Sequence, residues 1–365
     1  MIRQAWVEID LGKIKQNVIN IKQSLSEKTL FMAVVKANGY GHGSVEIAKT
    51  ALANGAQRLG VALVEEAIPL REAGISCPIN LLSGPPPGSA KKIDKLGLTA
   101  TVFSEAHLLE LKDIKVDAHI KIDTGMNRIG LRAEELDYFL QTLKKYPNIN
   151  AEGMFTHFAT ADEPEGGVFS RQLDLFTDLA KKHRSRFEII SAANSAASLF
   201  NKDSHFDMVR IGIAMYGLEP SNERKSPVEL KPALTWKAKP SFVKKIKAGE
   251  SVSYGAKFTA ETDISIATIP VGYADGYFRG LSNKAFVLTQ GQRLPQIGTV
   301  CMDQFSVLTG DLDIDTDKPL ILLGEDGKAK FTADDMAILM KTINYEIVCA
   351  ISSRVPRVCV DTGNG

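Results

Sequence analysis

The sequence has little that staples, spans or steers. Its 365 residues include four cysteines, Cys77, Cys301, Cys349 and Cys359. None forms a C-x-x-C pair or stands at zinc-ligand spacing, so a disulfide framework and a structural zinc are both unexpected. No apolar run nears the ~18 residues of a membrane span, and no leader-like segment opens the chain. Lys and Arg total 44 against 43 Asp and Glu, a formal charge of +1. That balance argues against a nucleic-acid groove or a polybasic membrane face, both of which need concentrated positive charge. The lysine pairs at 91–92, 144–145, 181–182 and 244–245 are scattered and read as solvated faces. Together these absences predict a soluble cytoplasmic protein with reduced thiols and no nucleic-acid or membrane partner. Apolar residues make up 44% of the chain, enough for a full core.

What is present is alternation. Short apolar runs recur as "LFMAVVKA" (30–37), "RLGVALV" (58–64), "PINLLSG" (78–84) and "LTATVFS" (98–104). "AHIKIDTG" (118–125), "AEGMFTHFA" (151–159), "FEIISAANS" (187–195) and "MVRIGIAMYG" (208–217) follow. Between them lie stretches of helical period such as "SVEIAKTALANGA" and "RQLDLFTDLAKKHRS", with Gly55, Gly74 and Gly97 placed as helix C-caps. Strand–helix alternation predicts a parallel sheet covered by helices, and eight strands suit a closed (β/α)8 barrel. The rival, an open doubly wound sheet, is weakened by the lack of a G-x-G-x-x-G between a strand and a helix. Past about residue 225 the texture changes to period-two runs with turn signals, and "TADDMAILMKTI" carries one late helix. The expected domains are therefore a barrel over 1–228 and a mainly β domain over 229–365. A first strand near residues 4–10 could pack with the second.

In a barrel of this kind chemistry sits at the C-terminal strand ends. Those ends carry Lys36, Arg128, His157, Asn194, Ser195 and Arg210. Each alone has an ordinary explanation: a surface lysine, a satisfied core histidine, a structural ion pair, a helix cap. One rim, however, can converge all of them on a common pocket. The pocket would lack the paired carboxylates of a glycosidase and any H-E-x-x-H metal site, so no metal is expected. It would hold an amine able to form a Schiff base. Asn194 and Ser195 at a helix start, with the backbone of Gly212 and Ile213, suit a phosphate. An aldehyde trap beside a phosphate cradle describes a pyridoxal 5'-phosphate site.

The residues also carry a resemblance. "AVVKANGYGHG", "HIKIDTGMNRIG", "FTHFATADE", "ANSAASL", "MVRIGIAMYG", "VSYGAKFTA", "PVGYADGY", "CMDQ" and "TINYE" resemble, in order, the signature of bacterial alanine racemases. That resemblance implies a pyridoxal-phosphate barrel followed by a β domain, assembled as a homodimer with shared active sites. It implies that Lys36 bears the cofactor. Tyr40, Asn194, Ser195, Gly212, Ile213 and Tyr345 would serve its phosphate site, Arg128 its phenolic oxygen and Arg210 its ring nitrogen, with His157 alongside. Lys121 matches a lysine that many family members carry as a carbamate. Tyr254 of "VSYGA", from the partner subunit, would be the second catalytic base. Met302 and Asp303 of "CMDQ" would come from the partner too, near the substrate carboxylate, and Tyr273 would stand at the substrate entrance. Cys301 fits a backbone contributor better than a nucleophile. Asn127 departs from the glycine of some relatives.

The implied reaction interconverts L- and D-alanine, supplying D-alanine for peptidoglycan. Inverting a carbon needs a base on each face, with Lys36 on the D-face and Tyr254 on the L-face by resemblance. Free tyrosine has a pKa of ~10, so Tyr254 needs nearby positive charge, for which His157 and Arg210 are the candidates. A guanidinium at the ring nitrogen discourages its protonation and so weakens the electron sink. The alternatives are a broad-specificity or serine racemase of the same fold, a related decarboxylase, disfavoured by Arg210, and a non-catalytic cofactor-binding protein, disfavoured by the β domain.

Overall fold

The computed structural model describes residues 3–163 and 167–361. It divides into two compact units. Counting from the N terminus, β1 (Ala5–Asp10) belongs to the second unit and the next eight strands build the first. These are β2 (Leu30–Val34), β3 (Arg58–Val61), β4 (Ile79–Leu81), β5 (Leu98–Val102), β6 (Val116–Lys121), β7 (Ile149–Phe155), β8 (Ile189–Ser191) and β9 (Met208–Ile211). Each pairs in parallel with the next, and β9 closes on β2 with Leu30 opposite Met208 and Met32 opposite Arg210. This is the (β/α)8 barrel that the alternation predicts. The strands are short and almost wholly buried because each has the barrel interior on one side and helices on the other. Helices Ser44–Ala53, Ala67–Glu72, Ala90–Leu96, Glu105–Leu111, Leu136–Leu143 and Gly167–His183 cover them. Ser104 caps one of these by accepting from the His107 amide, and Gly97 ends another at φ +55°.

A polar belt crosses the barrel interior. Arg58 of β3 grips Glu152 of β7 with two hydrogen bonds of 2.8 and 2.7 Å. It also donates to Asn80 of β4 (3.1 Å) and Thr99 of β5 (3.2 Å). His119 of β6 meets the same carboxylate at 2.9 Å. Burial keeps His119 below its usual pKa despite Glu152, so the neutral ring donates from Nε2. Burial alone would raise Glu152, but His119 and Arg58 outweigh it and hold the carboxyl at about 2. Five strands are thereby laced together by one bidentate ion pair and its neighbours.

The second unit takes the segment ending at Gly12, Tyr40–Gly43 and the chain from Pro232 onwards. The division thus falls after Lys231 rather than 228, and β1 groups here because it pairs antiparallel with β10 (Leu234–Ala238). Next come β11 (Phe242–Ile246), β12 (Ile264–Ile269), β13 (Phe286–Thr289), β14 (Gln292–Ile297), β15 (Phe305–Leu308), β16 (Leu320–Asp326), β17 (Ala329–Phe331) and β18 (Arg357–Val360). The sheet runs β11-β12-β15-β14-β13-β16-β10-β1-β18, with β17 against β16. Trp236, Tyr277 and Phe305 anchor its core, the last two stacked at 4.5 Å between centroids. Two late helices are present where one was expected. Thr332 and Asp335 cap Ala333–Met340 reciprocally, Lys341 ends it in the left-handed region, and the chain restarts as Asn344–Ala350. Among the described residues no helix is long and apolar enough to cross a membrane.

Removing the Glu152 charge leaves Arg58 buried and uncompensated, so Glu152→Gln should cost the barrel about 3 kcal/mol in denaturant unfolding. Because the folded carboxyl lies below its ordinary value, the wild-type contribution is complete above about pH 4.5 and lost as pH falls through about 2. The variant should therefore show a flatter decline in that window. Far-UV circular dichroism is the probe, since Trp6 and Trp236 both lie in the β unit.

Candidate active site

Strand β2 delivers Lys36 to the C-terminal end of the barrel, and the backbone then reverses hand. Ala37, Asn38, Gly39, Tyr40 and Gly41 all hold φ between +50° and +80°. Left-handed runs are costly for residues with a Cβ, roughly 1–2 kcal/mol each, so something must hold them. Glu66 does so at the first position. Its Oε1 accepts from the Ala37 amide (2.7 Å) while Oε2 takes the Ala62 and Leu63 amides. Asn38 Oδ1 accepts from Ser44 N (3.0 Å), and the Tyr216 hydroxyl donates to Val34 O (3.0 Å) at the strand end. At Gly41 any Cβ would lie 2.3 Å from Val348 O, so only glycine fits.

Arg210, on β9 beside β2, is buried, with no carboxylate of the described residues among its hydrogen-bond partners. One terminal nitrogen donates to Ser191 Oγ (2.6 Å), and the other to Thr156 O (2.7 Å), Ala192 O (3.0 Å) and His157 Nδ1 (3.3 Å). Burial lowers the guanidinium to about 9, still charged at neutrality. His157 is pushed well below its usual value, first by burial and then by Arg210, Lys121, Arg128 and Lys36. Since Arg210 can only donate, the His157 proton sits on Nε2. A neutral imidazole lends no positive charge to a neighbouring phenol, so His157 does not fill the charge-supplying role expected of it, and the cations must. Gln172 fixes this segment, donating to His157 O (3.1 Å) and accepting from Ala159 N (2.9 Å).

Lys121 ends β6 in the same cluster. Its Nζ donates to Ile122 O (2.9 Å) and lies 5.2 Å from the Phe155 ring centroid, as does the Arg210 guanidinium carbon. Burial, then Arg210 and Arg128, bring it down to about 7 against the opposing pull of Asp123. A large share of this amine is therefore neutral near pH 7 and able to act as a nucleophile. Asp123 shapes the loop that presents Arg128, its Oδ1 accepting from Gly125 N (2.9 Å) and Asn127 N (3.0 Å). Asn127 holds φ +54°, a conformation that asparagine tolerates and glycine prefers, which explains both residues at this position. On the next strands, Ser195 Oγ accepts from Gly212 N (2.9 Å), leaving its own proton for an anion. Asn194 Oδ1 is committed to the Ala197 amide, so that oxygen serves as a cap.

The remaining expected residues belong to the β unit. Tyr40 and Tyr345 lie with ring centroids 6.1 Å apart. Tyr273 and Ala274 donate backbone bonds to Cys301 O and Met302 O (3.0 Å each), which joins Tyr273 to "CMDQ". Arg354 binds Asp303 (2.7 Å) and the buried Asp275 (3.4 Å), whose other partner is Arg3 (2.6 Å). Tyr254, Met302 and Tyr273 are 74%, 53% and 43% exposed in the single chain. Thus Lys36, Lys121, Arg128, His157, Asn194, Ser195, Arg210, Gly212 and Ile213 fall in one unit, and Tyr40, Tyr254, Tyr273, Met302, Asp303 and Tyr345 in the other.

Residues 9–220 match the family described as alanine racemase, N-terminal domain, and residues 233–359 match alanine racemase, C-terminal domain. The chain belongs to the alanine racemase family. It is 43% identical to alanine racemase 1 of Bacillus subtilis, covering 99% of this chain and 94% of that one. It is 44% identical to the alanine racemase of Geobacillus stearothermophilus, covering 98% and 93%. The crystal structure of alanine racemase from Bacillus anthracis with bound L-Ala-P superposes with a TM-score of 0.95 at 38% identity, covering 100% of this chain and 97% of that one. Against this family, Glu66, Ser191, Thr156 and Gln172 are the site-shaping residues that sequence reading missed.

The His157 ring should stay neutral, with its proton on Nε2, as pH falls through the range in which a free imidazole gains its proton, as read in nitrogen-15 correlation spectra. Arg210→Gln should raise its pKa, because the guanidinium in contact with the ring would be gone while burial remains.

Proposed function

We propose that this chain interconverts L- and D-alanine with pyridoxal 5'-phosphate as cofactor. The observation that carries the reading is an amine and a carboxylate-free guanidinium on hydrogen-bonded neighbouring strands, Lys36 after β2 and Arg210 on β9. The donor set fits the cofactor. Lys36 would take its aldehyde, Arg210 would hold its ring nitrogen and Arg128 its phenolic oxygen. Ser195, Gly212, Ile213, Tyr40 and Tyr345 would hold its phosphate. Around His157 gather Lys36, Lys121, Arg128 and Arg210, a positive field suited to a dianionic phosphate and a substrate carboxylate.

When bound, the cofactor supplies an electron sink for the pair left as the α-proton departs. This chain's residues do the rest. Lys36 takes or returns the proton on the D-face, and Tyr254 does so on the L-face. Arg210 donates an N–H at the ring nitrogen and, still charged near neutrality, discourages its protonation. The neutral fraction of Lys121 can add carbon dioxide with loss of one proton to solvent, and the resulting carbamate would accept from Arg128 in place of the repulsion that the ammonium form exerts.

We also propose a homodimer with shared sites, in which each subunit lends Tyr254, Tyr273, Met302 and Asp303 to the other. The exposure of Tyr254 and Met302 supports it. The product would feed peptidoglycan in the cytoplasm.

Purified protein should convert L-alanine to D-alanine and show cofactor absorbance that borohydride fixes onto the Lys36 peptide. Lys36→Ala should lose at least about 1000-fold in kcat, on the scale of removing a reacting group. Conversion of serine but not alanine, or labelling elsewhere, would overturn the reading. Carbon-13 bicarbonate should give a carbamate resonance that Lys121→Ala lacks.

A further inference from the structure

The phenol assigned to the L-face stands on an unusual piece of backbone. Ser253, just before Tyr254, holds φ +64° and ψ −175°, a region populated almost only by glycine. Gly255 and Ala256 follow at φ +75° and +45°, so the tyrosine is bracketed by left-handed residues. Such conformations persist only where the surroundings over-determine them. Here a reciprocal pair of hydroxyls does so. Ser253 Oγ donates to Thr299 O (2.6 Å), and Thr299 Oγ1 donates back to Tyr254 O (2.7 Å). Cys301 Sγ lies 3.1 Å from the same serine oxygen. The approach is made possible by Gly298, at φ +73°, where a Cβ would fall 2.7 Å from Val252 O. Thr299 is 2% exposed while Tyr254 is 74% exposed. An exposed side chain is thus mounted on a clasp whose threonine is buried and whose serine lies at the surface.

We propose that Ser253 and Thr299 are positioning residues that set the Tyr254 backbone, and so the place of its phenol, for proton transfer on the L-face. The proposal rests on the reading of Tyr254 as one of the two bases. A solvated tyrosine on a free loop would sample many positions, and a displacement near 1 Å can cost a reaction about 100-fold. The two hydroxyl bonds act on the residue that bears the phenol and on the one before it, in the unit that does not contain Lys36. Their loss should therefore slow one proton transfer and spare the other.

The test uses holoenzyme carrying Thr299→Val, Thr299→Ser, Ser253→Gly or Tyr254→Phe, with α-deuterated L- and D-alanine as substrates. Thr299→Val should lower kcat about tenfold with KM within twofold and with unchanged cofactor absorbance. Its primary isotope effect should rise from the L-side and fall from the D-side, because the tyrosine step becomes limiting in both directions. Thr299→Ser, which keeps the hydroxyl, should restore wild-type behaviour. Ser253→Gly suits the backbone and removes the serine's bond to Thr299 O together with its contact to Cys301 Sγ, so it should show the same asymmetry, and it decides the matter if the valine variant does not fold. Equal changes from both sides, or none, with an inactive Tyr254→Phe, would overturn the clasp and leave the tyrosine assignment standing. A fully active Tyr254→Phe would overturn that assignment and the clasp with it.

Discussion

The constraint on which the barrel unit turns is a buried positive charge with no carboxylate at its side. Arg210 is desolvated on β9 and held by the carbonyls of Thr156 and Ala192, the Ser191 hydroxyl and a histidine nitrogen. Neutral oxygen dipoles fix its direction without cancelling its charge. The consequences spread to every neighbour. His157 is kept neutral and takes a single tautomer, and Lys121 is brought to a pKa of about 7. Burial is the larger cause of both shifts and the Arg210 charge adds to it, so a carboxylate placed there would weaken each of these effects.

Below this layer the barrel uses the opposite strategy. Arg58 is matched to Glu152 in a bidentate pair, and His119 and two polar side chains take up the remaining bonding capacity. One interior therefore holds a neutralised arginine that ties strands together and an unneutralised one that shapes the site. The barrel supplies enclosure for both, but only the second is left with charge to act on a ligand.

Much of the fold was legible because alternation of apolar runs and amphipathic stretches is a local property. Lys36 stood out for the same reason, as a cation ending a buried strand before a run of glycines. The second late helix was missed because its start depends on Lys341 adopting a left-handed cap, which the residue type does not announce. Glu66, Ser191, Thr156 and Gln172 were not legible as site residues because their role lies in what the closed barrel brings to them. Glu66 meets Ala37 across 29 positions of sequence, and Arg210 meets Thr156 across 54. The neutrality of His157 likewise follows from its burial and then from the surrounding charges, and no motif records either.

The barrel closes between its first and last strands, β2 and β9, and these two carry Lys36 and Arg210. During synthesis the lysine emerges early, while the strand bearing its guanidinium neighbour leaves the ribosome some 170 residues later, a separation read directly from positions 36 and 210. Until that last strand docks, the amine has no matching half. The order of translation itself keeps the two groups apart until the ring is complete.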